Sequence, residues 1–360
     1  MIKRIGILTG GGDAPGLNAV IRAVVLTAHN HYGWDVVGIR EGFDGLISGV
    51  QLEALSPENV RDLLQRGGTV LGAVNRGNPL MRTIDLPDGT VEYVDVAEET
   101  VERIRELGLD AVIAAGGDGT MAIAQRLVNL GARIVGVPKT IDNDLNKTDV
   151  TFGFDTAILT ATEALDKLQT TAESHHRVMV LEVMGRNAGW IALTAGVAGG
   201  ADAILIPEIP FDIQVVCDKI ESLRRDGRRY SLIVVAEGAA PIGGKPLYYI
   251  KGEGTSEGKL GGIGHMVGSM LAECTGVEVR VTVLGHLQRG GQPTPRDRWL
   301  ATRFGSMAVH LVARQQWGKM VALQGNNLVA VPMSEAMQLK LVDTHGEMVE
   351  TARDLGIVFG

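Results

Sequence analysis

Residues 110–120 read Asp-Ala-Val-Ile-Ala-Ala-Gly-Gly-Asp-Gly-Thr, an apolar run followed by a glycine-rich turn. The apolar part, residues 111–115, has the length and composition of a buried strand. Residues 121–130 follow with the spacing of an amphipathic helix. A strand that passes through a tight turn into a helix is the unit from which parallel sheets are built, so this stretch predicts an α/β fold.

The same order of strand, glycine turn and helix recurs along the chain. Residues 5–9 form an apolar run, residues 10–16 read Gly-Gly-Gly-Asp-Ala-Pro-Gly, and residues 17–28 have a helical pattern. Further strands are predicted at residues 35–39, 133–137, 178–183, 203–206, 232–236 and 280–284, and a further helix at 188–197. The alternation predicts two doubly wound domains with mostly parallel sheets. Their ligands should bind at the carboxyl ends of the strands.

Composition excludes several classes of protein. Hydrophobic residues make up 45% of the 360 positions, which indicates a globular chain. No apolar run approaches the ~20 residues of a membrane helix, and the N-terminus lacks the pattern of a signal peptide, so no membrane partner is expected. The net charge of −8 argues against a nucleic-acid partner. Cys217 and Cys274 are expected to remain thiols, with a cytoplasmic location.

Two glycine turns are candidates for phosphate binding. In residues 10–16, glycine lets backbone N–H groups turn inward at the start of a helix, which suits a polyphosphate; a tight turn without a ligand would look similar. In the second turn, Asp118 stands between glycines at a strand end, where a carboxylate can hold Mg²⁺ against phosphate oxygens. This second pattern is typical of nucleotide-dependent kinases, but it does not indicate which molecule accepts the phosphoryl group.

Residues 138–144 read Pro-Lys-Thr-Ile-Asp-Asn-Asp, directly after a strand that is expected to end at Pro138. In an extended segment, Asp142 and Asp144 project to the same side. One carboxylate can then serve as general base toward a hydroxyl, while the other supports it or the metal. A solvated acidic turn is the alternative, and the residues alone leave both interpretations open.

Basic residues stand at several predicted strand ends. They are Arg177, Arg186, Arg280, His286 and Arg289. Most surface arginines only contact solvent, but these border apolar strands and glycines. A guanidinium group can bind a phosphate through two parallel hydrogen bonds. Together they suggest a phosphorylated acceptor. Glu237, after the strand at 232–236, could accept hydrogen bonds from sugar hydroxyls.

Taken together, these segments resemble the signature segments of the 6-phosphofructokinase family. The resemblance runs through nearly the whole chain and rests on residues 9–19, 116–120, 138–144, 184–186, 236–239 and 285–291. Thr-Ile-Asp-Asn-Asp, Met-Gly-Arg and Gly-His-Leu-Gln-Arg-Gly-Gly are highly specific as a combination. The resemblance implies phosphorylation of D-fructose 6-phosphate to fructose 1,6-bisphosphate in glycolysis, with ATP as co-substrate and Mg²⁺ as cofactor.

The resemblance also implies roles for individual residues. Asp142 would be the general base toward the 1-hydroxyl, Asp144 would support metal and substrate, and Arg186 would stabilise charge on the transferring group. The donor phosphates would be bound by Gly11, Gly12, Arg76, Gly117, Asp118, Gly119 and Thr120, with Asp118 as the Mg²⁺ ligand. Fructose 6-phosphate would be bound by Thr140, Asp142, Arg177, Met184, Gly185, Arg186, Glu237, Arg280, His286 and Arg289. Arg177 and Arg280 would act from a neighbouring subunit, which implies a homotetramer with shared active sites.

Positions 119 and 139 bear on the phosphoryl donor. ATP users in the family resemble this chain at Gly119, where pyrophosphate users place an aspartate that would crowd and repel the α-phosphate. At Lys139, however, the chain is similar to pyrophosphate users, since ATP users of the best-known bacterial type have glycine there. We expect ATP as the donor and keep pyrophosphate as the alternative. Gly119 carries more weight than Lys139, because an aspartate at position 119 would exclude ATP by a steric clash, whereas a flexible lysine excludes neither donor. Arg76 stands one position later than the corresponding arginine of ATP users.

The family's effector site is only partly matched. Arg22 is similar to one of its arginines, but Leu26 and Gln169 replace two others, so regulation by ADP or phosphoenolpyruvate in the familiar manner is not expected. Arg228 and Arg229 could bind a different anion, but we expect them to be solvated.

The chain is predicted to divide near residues 150–155. Residues 1–153 with about 288–338 would form a nucleotide-binding domain, and residues 154–287 with about 339–360 a sugar-phosphate-binding domain. Residues 241–264 are expected to form a loop or mobile connection. Two other functions remain open here. A nicotinamide-dinucleotide or lipid kinase would explain only residues 116–120, and an inactive regulatory subunit would be expected to lose Asp118, Asp142 or Arg186.

Overall fold

A computed structural model describes residues 2–47, 51–73, 78–85, 91–250 and 258–360. Its strands are β1 (Arg4–Thr9), β2 (Asp35–Ile39), β3 (Leu52–Leu55), β4 (Arg82–Asp85), β5 (Val91–Val94), β6 (Ala111–Gly116), β7 (Ile134–Thr140), β8 (Phe152–Gly153), β9 (Val178–Val183), β10 (Ala203–Leu205), β11 (Ser231–Ala236), β12 (Tyr248–Ile250), β13 (Lys259–Leu260), β14 (Val279–Val283), β15 (Lys319–Gln324) and β16 (Asn327–Pro332). Its α-helices are α1 (Leu17–Thr27), α2 (Asp44–Ile47), α3 (Ala97–Glu106), α4 (Asp118–Asn129), α5 (Phe154–His175), α6 (Trp190–Ala198), α7 (Ile213–Arg225), α8 (Ile263–Thr275), α9 (Pro295–Ala313), α10 (Met333–Ala336) and α11 (Glu347–Asp354). A π-helical turn spans Ala28–Tyr32, and 3₁₀ turns span Arg61–Leu63 and Gly285–Arg289.

These elements form two compact units. The first comprises Met1–Ile141, Leu145–Asp155 and Arg289–Leu339, and the second comprises Asp142–Asp144, Thr156–Gln288 and Lys340–Gly360. The assignment of a nucleotide-binding role and a sugar-phosphate-binding role to particular domains stays a prediction.

The first unit is built on an eight-stranded mixed sheet in the order β16-β15-β7-β6-β1-β2-β3, with β8 paired to β7. The central pairings are parallel, and only β3 and β16 join it antiparallel, at its two edges. Alternate residues of β6 face two different cores: Ile113 packs in the core that contains α1 and α9, while Val112 packs in the core that contains α3 and α4. Both sheet faces are therefore covered by helices, which explains why β6 is apolar throughout.

The second unit contains a four-stranded parallel sheet in the order β10-β11-β9-β14. β9 and β11 are fully buried, whereas the edge strand β14 is partly exposed. The prediction of an α/β fold with mostly parallel sheets is confirmed.

Three local predictions were wrong. Cys217 on α7 and Cys274 on α8 form a disulfide rather than two thiols. β7 does not end at Pro138 but continues to Thr140, because residues 138–140 pair with β6 and β8. Residues 241–264 are not only a loop, since β12 and β13 form an antiparallel pair within them. In the described part of the chain, no helix is long and apolar enough to cross a membrane.

Candidate active site

The two predicted phosphate turns are neighbours in the first unit, because β1 and β6 are adjacent parallel strands. The Gly10 N–H donates to the Ala115 carbonyl at 2.8 Å. The buried side chain of Thr120 fills the space between the turns: a Cβ atom at either Gly10 or Gly116 would overlap it. The glycines of these turns therefore allow close packing of one loop on the other.

The α4 helix starts at Asp118, with Gly117 as its N-cap, so it begins earlier than the predicted residue 121. Asp118 and Gly119 are exposed in the first turn, where the helix presents its positive end and unpaired N–H groups. A Cβ atom at Gly119 would have no neighbour within 4 Å. The protein thus leaves open space at this position, as the predicted ATP donor would require.

Lys139 lies beside the first glycine turn. Its side chain is only 3% exposed, and its Nζ donates to the Gly12 carbonyl at 2.5 Å. Arg289 reaches the same turn, where Nη1 donates to the Asp13 carbonyl at 3.0 Å and would lie 2.7 Å from a Cβ atom at Gly12. Two cations therefore flank a turn that sequence reasoning assigns to donor phosphates.

The segment with the paired carboxylates is bent, not extended. Asn143 has a left-handed backbone conformation (φ 53°), so the prediction that Asp142 and Asp144 project from an extended segment was wrong. Asn tolerates this conformation better than most residues because its short polar side chain can bond locally. Asp142 is half-buried and Asp144 is 9% exposed. The segment follows Thr140 and Ile141, at the end of β7.

In the second unit, three adjacent parallel strands end at one place. The Glu237 N–H donates to the Val183 carbonyl at 2.9 Å, and the Leu284 N–H donates to the Glu182 carbonyl at 3.0 Å. The loops after β9, β11 and β14 surround a cavity of 320 Å³, whose lining includes Met184, Glu237 and His286. The structure therefore brings these three predicted sugar-phosphate residues together.

Arg186 belongs to the turn after β9. Gly185 has φ 135°, a conformation that L side chains rarely adopt, and its carbonyl accepts from the Gly238 N–H at 3.1 Å. A Cβ atom at Gly238 would overlap the Arg186 carbonyl, so the two loops are in direct contact. The Arg186 Nη2 donates to the Gly258 carbonyl at 2.7 Å.

Two residues that sequence reasoning missed support these loops. Gln288 is fully buried, and its Oε1 accepts from the Met184 N–H at 2.7 Å. Glu182 is 3% exposed, and its carboxylate accepts from the Gly264 N–H at 2.8 Å, at the start of α8. Gln288 lies within the quoted motif at 285–291, so its position was a usable signal. Glu182 looked like part of an ordinary strand.

Arg177 directly precedes β9, and Arg280 lies on the neighbouring strand β14. Both pair with Glu278: the Arg177 Nε lies 2.6 Å from Oε2, and Arg280 Nη2 contacts Oε1. Convergence of two guanidinium groups on one carboxylate is the geometry that also binds a phosphate. These two residues do not line the cavity that contains Met184, Glu237 and His286.

Arg228 is not simply solvated. It forms a 2.7 Å ion pair with Asp202, which is 5% exposed. Burial raises the pKa of the Asp202 carboxyl, while the hydrogen bond from the Leu232 N–H and the Arg228 charge oppose that rise. Arg229 is exposed, as expected. Arg76 lies outside the described residues, so its predicted role has no structural counterpart here.

Comparison with known proteins decides the family. The sequence profile described as phosphofructokinase matches residues 4–312, most of the chain. The chain belongs to the phosphofructokinase family. This confirms the resemblance inferred from the motifs and sets aside the alternative of a nicotinamide-dinucleotide or lipid kinase.

Individual relatives in the family carry two kinds of name. The chain is 55% identical to the ATP-dependent 6-phosphofructokinase of Chloroflexus aggregans, over 99% of this chain and 98% of the relative. It is 51% identical to the pyrophosphate–fructose 6-phosphate 1-phosphotransferase of Amycolatopsis methanolica, over 94% of this chain and 96% of the relative. Among solved structures, it is similar to phosphofructokinase from Saccharomyces cerevisiae (TM-score 0.76, 32% identity), covering 98% of this chain and 47% of that chain. The chain thus spans about half the length of the yeast subunit.

Proposed function

We propose that this chain transfers the terminal phosphoryl group of ATP to the 1-hydroxyl of fructose 6-phosphate, a step of glycolysis. The observation that carries the proposal is the cavity at the ends of β9, β11 and β14. Its walls combine a carboxylate from Glu237, an imidazole from His286 and the Met184 turn, beside Arg186. A carboxylate accepts hydrogen bonds from sugar hydroxyls, and an imidazole N–H can donate to a phosphate. The cavity also lies at the carboxyl ends of the strands, where α/β proteins bind ligands.

The acceptor would be held mainly by residues of the second unit. Glu237 would accept hydrogen bonds from sugar hydroxyls, and His286 would bind near the 6-phosphate. The Met184 N–H already donates to Gln288, so the shape of this turn is set before substrate arrives. A preformed turn reduces the ordering cost of binding.

The chemical step would use the segment at the end of β7. Asp142 would take the proton from the 1-hydroxyl as that oxygen attacks the terminal phosphorus, and the bond from phosphorus to the leaving ADP oxygen would break. Asp144 would support this arrangement. The guanidinium of Arg186 would stabilise the negative charge that spreads over the transferring group.

Mg²⁺ fits the residues at the start of α4. In the described part of the chain, no cluster of three or more His, Cys, Asp or Glu side chains could form an all-protein metal cage. Mg²⁺ in kinases usually needs only one or two carboxylates, because substrate phosphates and water complete its octahedron. Asp118 would be that carboxylate, and the ion would neutralise charge on the donor phosphates.

The choice of ATP is supported by Gly119. The open space at this position, in the first turn of α4, leaves room for the rest of a nucleotide beyond its terminal phosphates. The name of the Chloroflexus aggregans relative points to the same donor.

Pyrophosphate is a second candidate, favoured by Lys139. Its buried ammonium group lies next to the Gly12 carbonyl, so a compact cation faces the first phosphate turn. The Amycolatopsis methanolica relative is named for pyrophosphate. Lysine is a point charge that can bind the phosphates of either donor, whereas only a donor that extends beyond two phosphates would need the open space at Gly119. We therefore keep ATP as the main proposal.

We also propose a homotetramer in the cytoplasm. Arg177 and Arg280 converge on Glu278 at a place separate from the cavity, as expected if they complete the phosphate site of a neighbouring subunit. The cytoplasmic location follows from the reaction, because ATP and sugar phosphates are charged and do not cross membranes unaided.

The proposal is tested with the purified full chain, MgCl₂, ATP and fructose 6-phosphate, by following ADP and fructose 1,6-bisphosphate. Glucose 6-phosphate is the matched acceptor, since it carries the same phosphate on a different ring. We expect turnover with fructose 6-phosphate and little with glucose 6-phosphate. Equal rates with both sugars, or none with either, would contradict the proposal.

A further inference from the structure

A short segment near the C-terminus contacts the backbone of the proposed catalytic residues. We call residues 340–342 the bracing segment. They lie outside the part of the chain that matches the family profile. The Lys340 N–H donates to the Asp144 carbonyl at 2.8 Å. The position of Asp144, and with it the Asp142–Asp144 segment, therefore depends on where this segment is held.

The bracing segment is held on its other side by the indole of Trp190. The Trp190 Nε1–H donates to the Lys340 carbonyl at 2.7 Å, and the Lys340 Nζ lies 5.4 Å from the centre of the indole ring. Trp190 is the first residue of α6, directly after the Arg186 turn. The N–H of Lys340 thus contacts Asp144 and its carbonyl contacts Trp190, so the Lys340 backbone links Asp144 to the start of α6.

Glu208 makes a second connection. Its Oε1 accepts from the Val342 N–H at 2.9 Å and from the Gly189 N–H at 3.0 Å. Gly189 is the N-cap of α6, so the carboxylate also lies at the positive end of that helix. The two ends of the bracing segment are therefore tied to the same helix start.

We propose that Trp190 and Glu208 are positioning residues for phosphoryl transfer. Through the bracing segment they fix the Asp142–Asp144 backbone relative to α6 and the Arg186 turn that precedes it. A general base must lie within hydrogen-bond reach of the hydroxyl, and small displacements of a reacting group have large effects on rate. This inference rests on the proposed function, because it assigns Asp142 as the base.

The test compares Trp190→Phe with the matched variant Trp299→Phe. Phenylalanine keeps one aromatic ring but lacks the fused pyrrole ring of tryptophan, and with it the indole N–H. Trp299 is 65% exposed, and its indole N–H makes no hydrogen bond within the described residues, so the same change there removes no such bond. Loss of one hydrogen bond should lower kcat/KM for fructose 6-phosphate by about fivefold in Trp190→Phe, with the KM for ATP unchanged. Trp299→Phe should match the wild type.

Glu208→Gln gives an independent measurement. It keeps the size of the side chain but replaces one carboxylate oxygen by an NH₂ group, which cannot accept a hydrogen bond. It should therefore weaken the Glu208 connection and also lower kcat/KM for fructose 6-phosphate. If Trp190→Phe fails to fold, Glu208→Gln alone decides the question. Values equal to the wild type in the folded variants would overturn the inference.

A double-mutant cycle separates positioning from a general structural effect. In an Asp142→Ser background the base is absent, so Trp190→Phe should cause almost no further loss of turnover. An undiminished further loss would overturn the positioning role. A wild-type protein that phosphorylates no fructose 6-phosphate with either donor would overturn the proposed function as well, whereas an active wild type with a normal Trp190→Phe would overturn this inference alone.

Discussion

Replacing Gly119 with aspartate tests the assignment of the donor site. A Cβ atom at Gly119 has no neighbour within 4 Å, and the residue does not adopt a left-handed conformation. The change should therefore leave the fold intact. An acidic residue in the first turn of α4 even interacts favourably with the helix dipole, by roughly 0.3–1 kcal/mol. The effect should appear only when the donor binds.

The size of that effect follows from electrostatics. Two unit negative charges about 4 Å apart repel by about 1 kcal/mol in bulk water and about 4 kcal/mol near a protein surface. Gly119 is exposed, so the repulsion should lie within this interval. It corresponds to a loss in kcat/KM for ATP between roughly fivefold and 10³-fold, since each 1.4 kcal/mol is a factor of ten.

The assay is steady-state kinetics with ATP varied at saturating fructose 6-phosphate, together with thermal unfolding. Gly119→Asn is the matched control, because it has the same shape without the charge. We expect Gly119→Asp to lose much more activity with ATP than Gly119→Asn, and both to keep the wild-type KM for fructose 6-phosphate. Wild-type kcat/KM for ATP in Gly119→Asp would refute the view that this position faces the donor.

Three further predictions concern the base, the disulfide and a partly buried histidine. Asp142→Ser should lower kcat by roughly 10² or more, the usual contribution of a positioned base; unchanged turnover would remove Asp142 from that role. Closing the 57-residue separation between Cys217 and Cys274 should stabilise the fold by up to about 4 kcal/mol, so reductant should lower the melting temperature of the wild type but not of the doubly substituted Cys→Ser protein; equal sensitivity would contradict this. Burial lowers the pKa of His310 below its ordinary 6.5, so the unfolded chain binds more protons and the free energy of unfolding should fall as the pH drops through 6.5. His310→Asn should flatten that dependence in urea titrations, and an identical slope would argue against it.

Much of the architecture was predictable because strands and glycine turns carry local signals. Apolar runs such as residues 111–115 identify a buried strand by composition alone, and the glycines that follow mark its carboxyl end. β3 and β16 were not predicted. Both pair antiparallel at the edges of the sheet. β3 is only four residues long and mostly not buried, so its local signal is weak, whereas β16 contains the apolar run at residues 328–331 and did offer a usable signal.

The candidate site was predictable only where single residues carry chemistry. Met184, Glu237 and His286 were named from their motifs as candidates, and the structure places them around one cavity; their role in binding stays a prediction. The bend at Asn143 was missed because its left-handed conformation depends on the surrounding fold. Trp190 was missed for a different reason. Its partner, the Lys340 carbonyl, lies 150 positions away in the chain, and no local pattern reports such a bond.

The measurement that tests the central claim most directly is the initial rate of fructose 6-phosphate phosphorylation with ATP and with pyrophosphate, supplied separately with Mg²⁺. The account predicts turnover with ATP and a much lower kcat/KM with pyrophosphate, because pyrophosphate would leave the open space at Gly119 unused. A preference for pyrophosphate would show that Lys139 sets the donor, and absence of turnover with both would contradict the assignment as an active kinase.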